Sequence, residues 1–383
     1  MVVTPNIPRD INEPHRSATP LELLFDLVSV IAIAAAASGL HHAIVEDHIL
    51  DGLLRYSVVF FGIWWAWMNY TWFASAYDSG DNVFKLLTMV IMAGSLTMAA
   101  GVTVFFDGFD IALLVIGYVI MRLALVALWV RASFADPERS KTTRIYAGGI
   151  TLAQVFWVAL WLSQPLDSFP FYFLFALGVL LELSVPVIAE RQNYTPWHRD
   201  HIVERYGLLN IIVLGETLLA ATVAVERAVD GDFDIALVQI ALSALVILFS
   251  MWWLYFAREE HLDSRDLSRA LPWGYGHAII FLSGAAVGAG IAALIDIMTG
   301  HAQVGIRVGE YAVAIPVALY LLGLWFVRDR FVLRSGVHFL LPVIAVIILV
   351  VPVFFSLGGV AILIAAGVIA RSVLAEKNRA ASL

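Results

Sequence analysis

The chain is 383 residues long, 61% hydrophobic and only 14% charged, with a formal net charge of −8. A soluble domain carries about 25% charged residues, so the composition excludes an ordinary water-soluble fold. No basic tract points to a nucleic-acid partner, and the lack of cysteine excludes disulfides, thiolate chemistry and iron–sulfur ligation. Residues 1–18 are polar, contain Pro5, Pro8 and Pro14, and lack the charged-then-apolar pattern of a signal peptide. They read as a cytoplasmic tail. Apolar runs then fall at 19–43, 53–76, 83–106, 109–131, 145–163 and 169–188. A second set falls at 201–225, 233–257, 270–295, 309–328, 336–354 and 358–375. A spanning helix needs about 20 mainly apolar residues. The predicted fold is therefore all-α, a polytopic membrane bundle of about twelve helices, closed by a cytoplasmic tail at 376–383.

Lys and Arg set the orientation. With the N-terminus in the cytoplasm, nineteen of the 23 basic residues fall on the cytoplasmic side. Arg55, Arg227 and Arg307 fall outside, and Arg122 sits within a span. A miscount of one helix would scramble this alternation, so the bias supports twelve spans independently of hydropathy.

The chain also repeats itself. Phe61-Gly62-Ile63-Trp64-Trp65-Ala66-Trp67 resembles Phe249-Ser250-Met251-Trp252-Trp253-Leu254-Tyr255. Ala127-Leu128-Trp129-Val130-Arg131 resembles Gly323-Leu324-Trp325-Phe326-Val327-Arg328, and Glu22 corresponds loosely to Glu204. The reading is a first six-helix half at 19–190 and a second at 191–375. An even helix count makes this a parallel repeat about an axis normal to the membrane. The first and seventh helices are expected to face each other.

Ionisable groups within spans are expensive and are functional hypotheses by default. The first run carries Glu22 and Asp26, four apart and so on one helix face. The fourth carries Arg122, the sixth Glu182, the seventh Glu204, Arg205 and Glu216, and the ninth His277. Glu216 lies roughly 18 Å along its helix from Glu204, and Arg122 roughly 13 Å from Arg131. Both are therefore near the midplane, while the others crowd the cytoplasmic half. The five acids exceed the two arginines by three, so some must be protonated, hydrated or cation-bound. The expected partner of Arg122 is Glu216, directly or through one water, as a coupling pair or as a plain helix clamp.

Other candidates read as ordinary structure. His198, His201 and Glu204 have a spacing that can suit a metal, but Arg199 and Asp200 interrupt it. His41, His42, Glu46, Asp47 and His48 read as a solvated loop, and Gly284 with Gly288 as a close-packing face. Gly-x-Ser-x-Gly, His-Glu-x-x-His and a Gly-Lys-Thr phosphate loop are all absent.

Thr19-Pro20-Leu21-Glu22-Leu23-Leu24-Phe25-Asp26-Leu27-Val28 resembles the opening signature of the bacterial low temperature requirement A proteins. His201-Ile202-Val203-Glu204-Arg205-Tyr206-Gly207-Leu208, with Ile211-Ile212-Val213-Leu214-Gly215-Glu216, resembles their second signature, and Tyr275-Gly276-His277 a weaker third. Leu24 replaces the usual second Phe, and Thr217 stands where Ser is common. The resemblance covers nearly the whole chain. It implies a multi-helix protein of the bacterial inner membrane and supplies no substrate. Its signature residues coincide with the costly ones, which are expected to form one site. The leading expectation is a proton-coupled secondary transporter of a small solute or ion, with membrane lipids as partners, no cofactor and both termini cytoplasmic. The alternative is a membrane enzyme or lipid-binding protein acting on an amphiphile from the cytoplasmic leaflet. A channel or sensor is a third possibility.

Overall fold

A computed structural model describes residues 7–14, 16–163, 169–229, 234–257, 262, 266–333 and 336–380, with the backbone alone at Phe169, Glu216 and 377–380. Among the described residues there are helices and turns and no strand. The helices are α1 (Pro20–Val45), α2 (Ile49–Tyr77), α3 (Asn82–Gly108), α4 (Ala112–Ala135), α5 (Ser140–Ser163) and α6 (Phe169–Glu190). They continue with α7 (Arg199–Val229), α8 (Ile235–Phe256), α9 (Leu267–Met298), α10 (Ile306–Leu324), α11 (Leu340–Phe354) and α12 (Leu357–Ala380). Twelve helical stretches are long and apolar enough to cross a membrane. That agrees with the runs read from the sequence. Helix is the form that satisfies every backbone amide within one segment, which a bilayer demands. Leu152, Val155, Phe249, Trp253 and Ile369 point outward, as lipid-facing side chains do.

Polar caps start several helices. Asp81, Asp234 and Asp266 each accept a backbone N–H from the first turn of α3, α8 and α9. Such a cap satisfies one of the amides a helix start leaves free.

The chain forms two compact units. The first comprises residues 1–36 with 58–205, the second 37–57 with 206–383. In the first, α3, α4, α5 and α6 pack consecutively. Helices α3 and α4 meet backbone to backbone. A Cβ on Gly94 would stand 2.7 Å from Gly117 O, and one on Gly117 would stand 2.5 Å from Met98 N. Only glycine allows that approach. In the second unit α9 packs on α10, α10 on α11, and α8 on α12. Helix α9 is enclosed over 78% of its most apolar window, more than any other span, so it is the axis of this unit. Its closest approach is at Gly290, where a Cβ would stand 2.2 Å from Ala312 O. At Gly284 a Cβ would meet only side chains, Val213 first at 3.1 Å. Gly290 is therefore a closer backbone approach than Gly284, the first of the pair picked from the sequence. Helix α10 ends in a π turn over Trp325–Asp329.

Candidate functional site

The first polar network of the first unit is built at the start of α1. Thr19 precedes Pro20 and caps the helix. Its hydroxyl takes the Glu22 amide at 3.3 Å, while Glu22 Oε2 accepts from Thr19 N at 2.8 Å and Thr19 Oγ1 at 3.0 Å. This is a capping box written as Thr-Pro-Leu-Glu. It fixes Glu22 with Oε1 facing α7, 3.1 Å from His201 Nε2 and 3.2 Å from Arg205 Nη1. One turn further, Asp26 Oδ1 accepts from Arg205 Nη2 at 2.5 Å and from Trp67 Nε1 at 2.7 Å. Glu22, Asp26, His201 and Arg205 are all fully buried. His201 and Arg205 are four apart and share one face of α7. The side chains of the first and seventh helices thus meet here, as the sequence implied.

This network is under-bonded. Among the described residues, Glu22 Oε1, Asp26 Oδ2, both ring nitrogens of His201, and Arg205 Nε and Nη1 find no hydrogen bond of normal geometry. Its charges do not cancel either. Two carboxylates face one guanidinium, and at the rim Arg16 and Asp78 add one charge of each sign. With every carboxylate ionised and His201 neutral, these described groups would carry one excess negative charge, which one added proton would cancel. At the rim, burial holds the Asp78 carboxyl above its ordinary range, and the charge on Glu22 pushes the same way.

Residues 7–14 and 16–19 pack beside this network. Arg9 N donates to Ala76 O, Arg9 Nη1 to Asp78 O and Arg16 Nη2 to Ala74 O. His198 Nε2 pairs with Glu13 O at 3.0 Å. The segment read from the sequence as a polar tail thus packs on the protein: it turns at residues 10–13, and its polar groups bond to the ends of α2 and the residue before α7. Glu204 does not join the buried network. It is exposed, and Ala18 N donates to it at 3.2 Å. It sits one residue before Arg205, about 100° around the helix, so it faces away from the buried acids.

The second network centres on Glu182 of α6. Oε2 accepts from Arg122 Nη2 at 2.8 Å and Trp65 Nε1 at 3.0 Å. Oε1 accepts from Tyr118 Oη at 2.8 Å, Trp157 Nε1 at 3.1 Å and Gln154 Nε2 at 3.4 Å. Arg122 also reaches Asn69 Oδ1 at 3.4 Å. Helices α2, α4, α5 and α6 are tied together by one carboxylate. Arg122 is therefore partnered by Glu182. The expected pairing with Glu216 falls on a side chain outside those described.

In the second unit His277 is buried in an aromatic cage of Tyr206, Trp273, Tyr255 and Phe281. Its Nδ1 pairs with Trp273 O at 2.8 Å, and its Nε2 bonds to no described residue. The π turn of α10 brings in a group the sequence reading missed. Asp329 accepts from Arg328 Nε at 2.7 Å and from Arg371 Nε at 2.8 Å, and Arg328 Nη1 donates to Tyr255 O. The Arg-Asp-Arg run at 328–330 was the available signal. His41, read as part of a solvated loop, instead pairs with Asp296 at 2.7 Å, which also takes Arg227 at 2.6 Å. Among the described residues no group of three or more His, Asp or Glu is placed to hold a metal ion.

Comparison with known proteins agrees with the signature residues. The family model described as bacterial low temperature requirement A protein matches residues 17–375. An uncharacterised protein of Rhizobium meliloti is 27% identical over 262 residues, 65% of this chain. The match spans 60% of that relative's length. No solved structure matches the chain.

Proposed function

The chain belongs to the bacterial low temperature requirement A protein family, and from that premise we propose that it is a proton-coupled secondary transporter of a small solute or ion. The observation that carries this reading is the fully buried Glu22–Asp26–His201–Arg205 network, in which two carboxylates meet one guanidinium and one imidazole. A network one proton short of neutrality is stable only while that proton is present. His201 and Glu22 are the pair that passes it, since they touch across two helices. Arg205 holds both carboxylates, and Asp26 anchors Arg205 through a bond backed by Trp67. Movement of α7 against α1 breaks the Glu22–His201 contact and so ties a conformational step to proton release. Glu182 with Arg122 is the fixed frame. Glu216 and His277 stay in the proposal as signature residues, and Glu204 as a rim residue that holds the N-terminal segment.

The reading includes a bacterial cytoplasmic membrane location, both termini in the cytoplasm and two six-helix repeats. The charge bias and the paired sequence motifs support these. Because the native chain has no cysteine, single cysteines at positions 139 and 199 test the topology directly. Labelling only from the cytoplasmic side is expected; an external signal refutes it. The functional test is uptake by proteoliposomes under an imposed pH gradient, across a panel of small solutes. Gradient-driven uptake is expected in the native protein and not in Glu22→Gln. A panel with no gradient-driven uptake, or full pH dependence in Glu22→Gln, overturns the reading.

A further inference from the structure

A second polar site, independent of the network above, lies in the second unit where α8, α10 and α12 begin and α9 ends. There a cavity of about 380 Å³ is lined by Gln239, Ser243, Glu310 and Ser356 together with Met298 and Leu294. That is within the size range of small-molecule pockets. Glu310 is only 7% exposed, no described residue gives its carboxylate a hydrogen bond or ion pair, and its oxygens keep what access they have through the cavity they line. The nearest opposite charge is Arg307, three residues earlier and exposed. A buried carboxylate without a partner is unfavourable by itself. The remaining polar groups, Gln239, Ser243 and Ser356, are neutral and each can accept a hydrogen bond. Ser243 Oγ donates to Gln239 O at 2.7 Å, which leaves its lone pairs free. A Cβ on Gly358 would stand 3.7 Å from Ser356 Oγ and 3.8 Å from Ser243 Oγ, so the two hydroxyls converge at that glycine. Away from them the wall is hydrocarbon, from Leu242, Val246 and Ile362, which face outward between α8 and α12.

A cavity that presents one carboxylate and three neutral groups able to accept, in an otherwise hydrocarbon lining, fits a cation with a carbon body. A bare metal ion would want more oxygen ligands than one carboxylate supplies. A primary ammonium carries three donors, the same count as on a lysine head, and matches the converging acceptors. We propose that this cavity binds an amphiphilic primary amine, its ammonium on Glu310 and the serine hydroxyls and its chain along Leu242, Val246 and Ile362. A free long-chain amine and an ethanolamine lipid share that chemistry.

The test is native mass spectrometry of the purified full chain in a neutral maltoside detergent, titrated with dodecylamine and, separately, with dodecanol. Binding of one dodecylamine per chain is expected, with no comparable binding of dodecanol. Glu310→Gln should weaken the amine by about tenfold, the loss of one charge-assisted hydrogen bond. Gly358→Leu should block it by filling the cavity. Should Gly358→Leu fail to fold, Glu310→Gln decides, since it removes a charge that touches no described group. Displacement of the amine by phosphatidylethanolamine supports the site and identifies a lipid source; persistence of the amine supports it and identifies a free amine. Equal binding of dodecanol, or unchanged amine binding in Glu310→Gln, overturns the proposal.

Discussion

Glu182 and Glu22 are equally shielded from solvent, yet they are held in opposite ways. Glu182 accepts five hydrogen bonds from five side chains, only one of them charged. Glu22 is bonded by its own capping residue on one oxygen and faces His201 and Arg205 without good hydrogen-bond geometry on the other. The first arrangement has no capacity left and one geometry. The second has open valences, a titratable neighbour and a net charge to dispose of. Burial alone therefore does not mark a working acid: the count of donors around the carboxylate separates a fixed tie from a group able to exchange a proton.

The contrast can be broken most directly at Glu182. Glu182→Gln leaves Arg122 buried without a counter-charge, and a loss of about 3–5 kcal/mol is expected, read as a collapse of the melting temperature in detergent. Arg122→Ala should be milder, because four neutral donors still surround Glu182. The tryptophans sharpen the same point. Trp65→Phe removes one donor of five and Trp67→Phe one of the two that hold Asp26 Oδ1. Each should cost about 1–2 kcal/mol, but only Trp67→Phe should change gradient-driven uptake. Glu22→Gln should shift stability by about 1 kcal/mol or less, since glutamine still serves the capping box, while removing the pH dependence of uptake. A Glu22→Gln protein that melts as low as Glu182→Gln would end the distinction between the two carboxylates.

The smallest expected effect lies outside both networks, at an ordinary ion pair. Burial works against the Asp81 carboxylate, but hydrogen bonds from Arg131, at 2.7 Å, and from the Phe84 amide outweigh it and hold its pKa below the ordinary value. A depressed carboxylate gives stability above its unfolded pKa, about 3.9, and loses it as pH falls through the lowered folded value. The native protein should therefore lose stability below about pH 4 by slightly more than Arg131→Gln does. Melting temperatures of the two across that window test it. Equal slopes would show that Asp81 gains nothing from Arg131.

The sequence made the acids visible through their cost. Glu22, Asp26, Arg205, Arg122 and Glu182 were all picked because charges within apolar runs need a reason, and all five are buried and bonded in the first unit. His201 could have been found the same way, since it stands four residues before Arg205 on one face; it was weighed only as a metal ligand with His198. Glu204 sits in the signature beside Arg205, but adjacency on a helix means a different face, and it is exposed. The bond from Arg122 to Glu182 was missed for a related reason. A rise per residue fixes how deep a group lies but not which way it points, and Glu182, judged shallower, reaches Arg122 from α6.

Composition, hydropathy and the placement of Lys and Arg determined by themselves that the chain is a bundle of about twelve apolar helices, and its signatures determined the family. Those features follow from local physics: a bilayer admits only segments that satisfy their own backbone amides, and apolar length is written in the chain. Which charges meet was decided only by tertiary structure. The Glu22–His201 contact, the five donors on Glu182, the inward turn of Asp329 and the unpartnered Glu310 all depend on helix rotation. Rotation is set by how neighbouring helices interlock, as where Gly94 faces Gly117 and Gly290 faces Ala312, and a single helix read alone does not contain it.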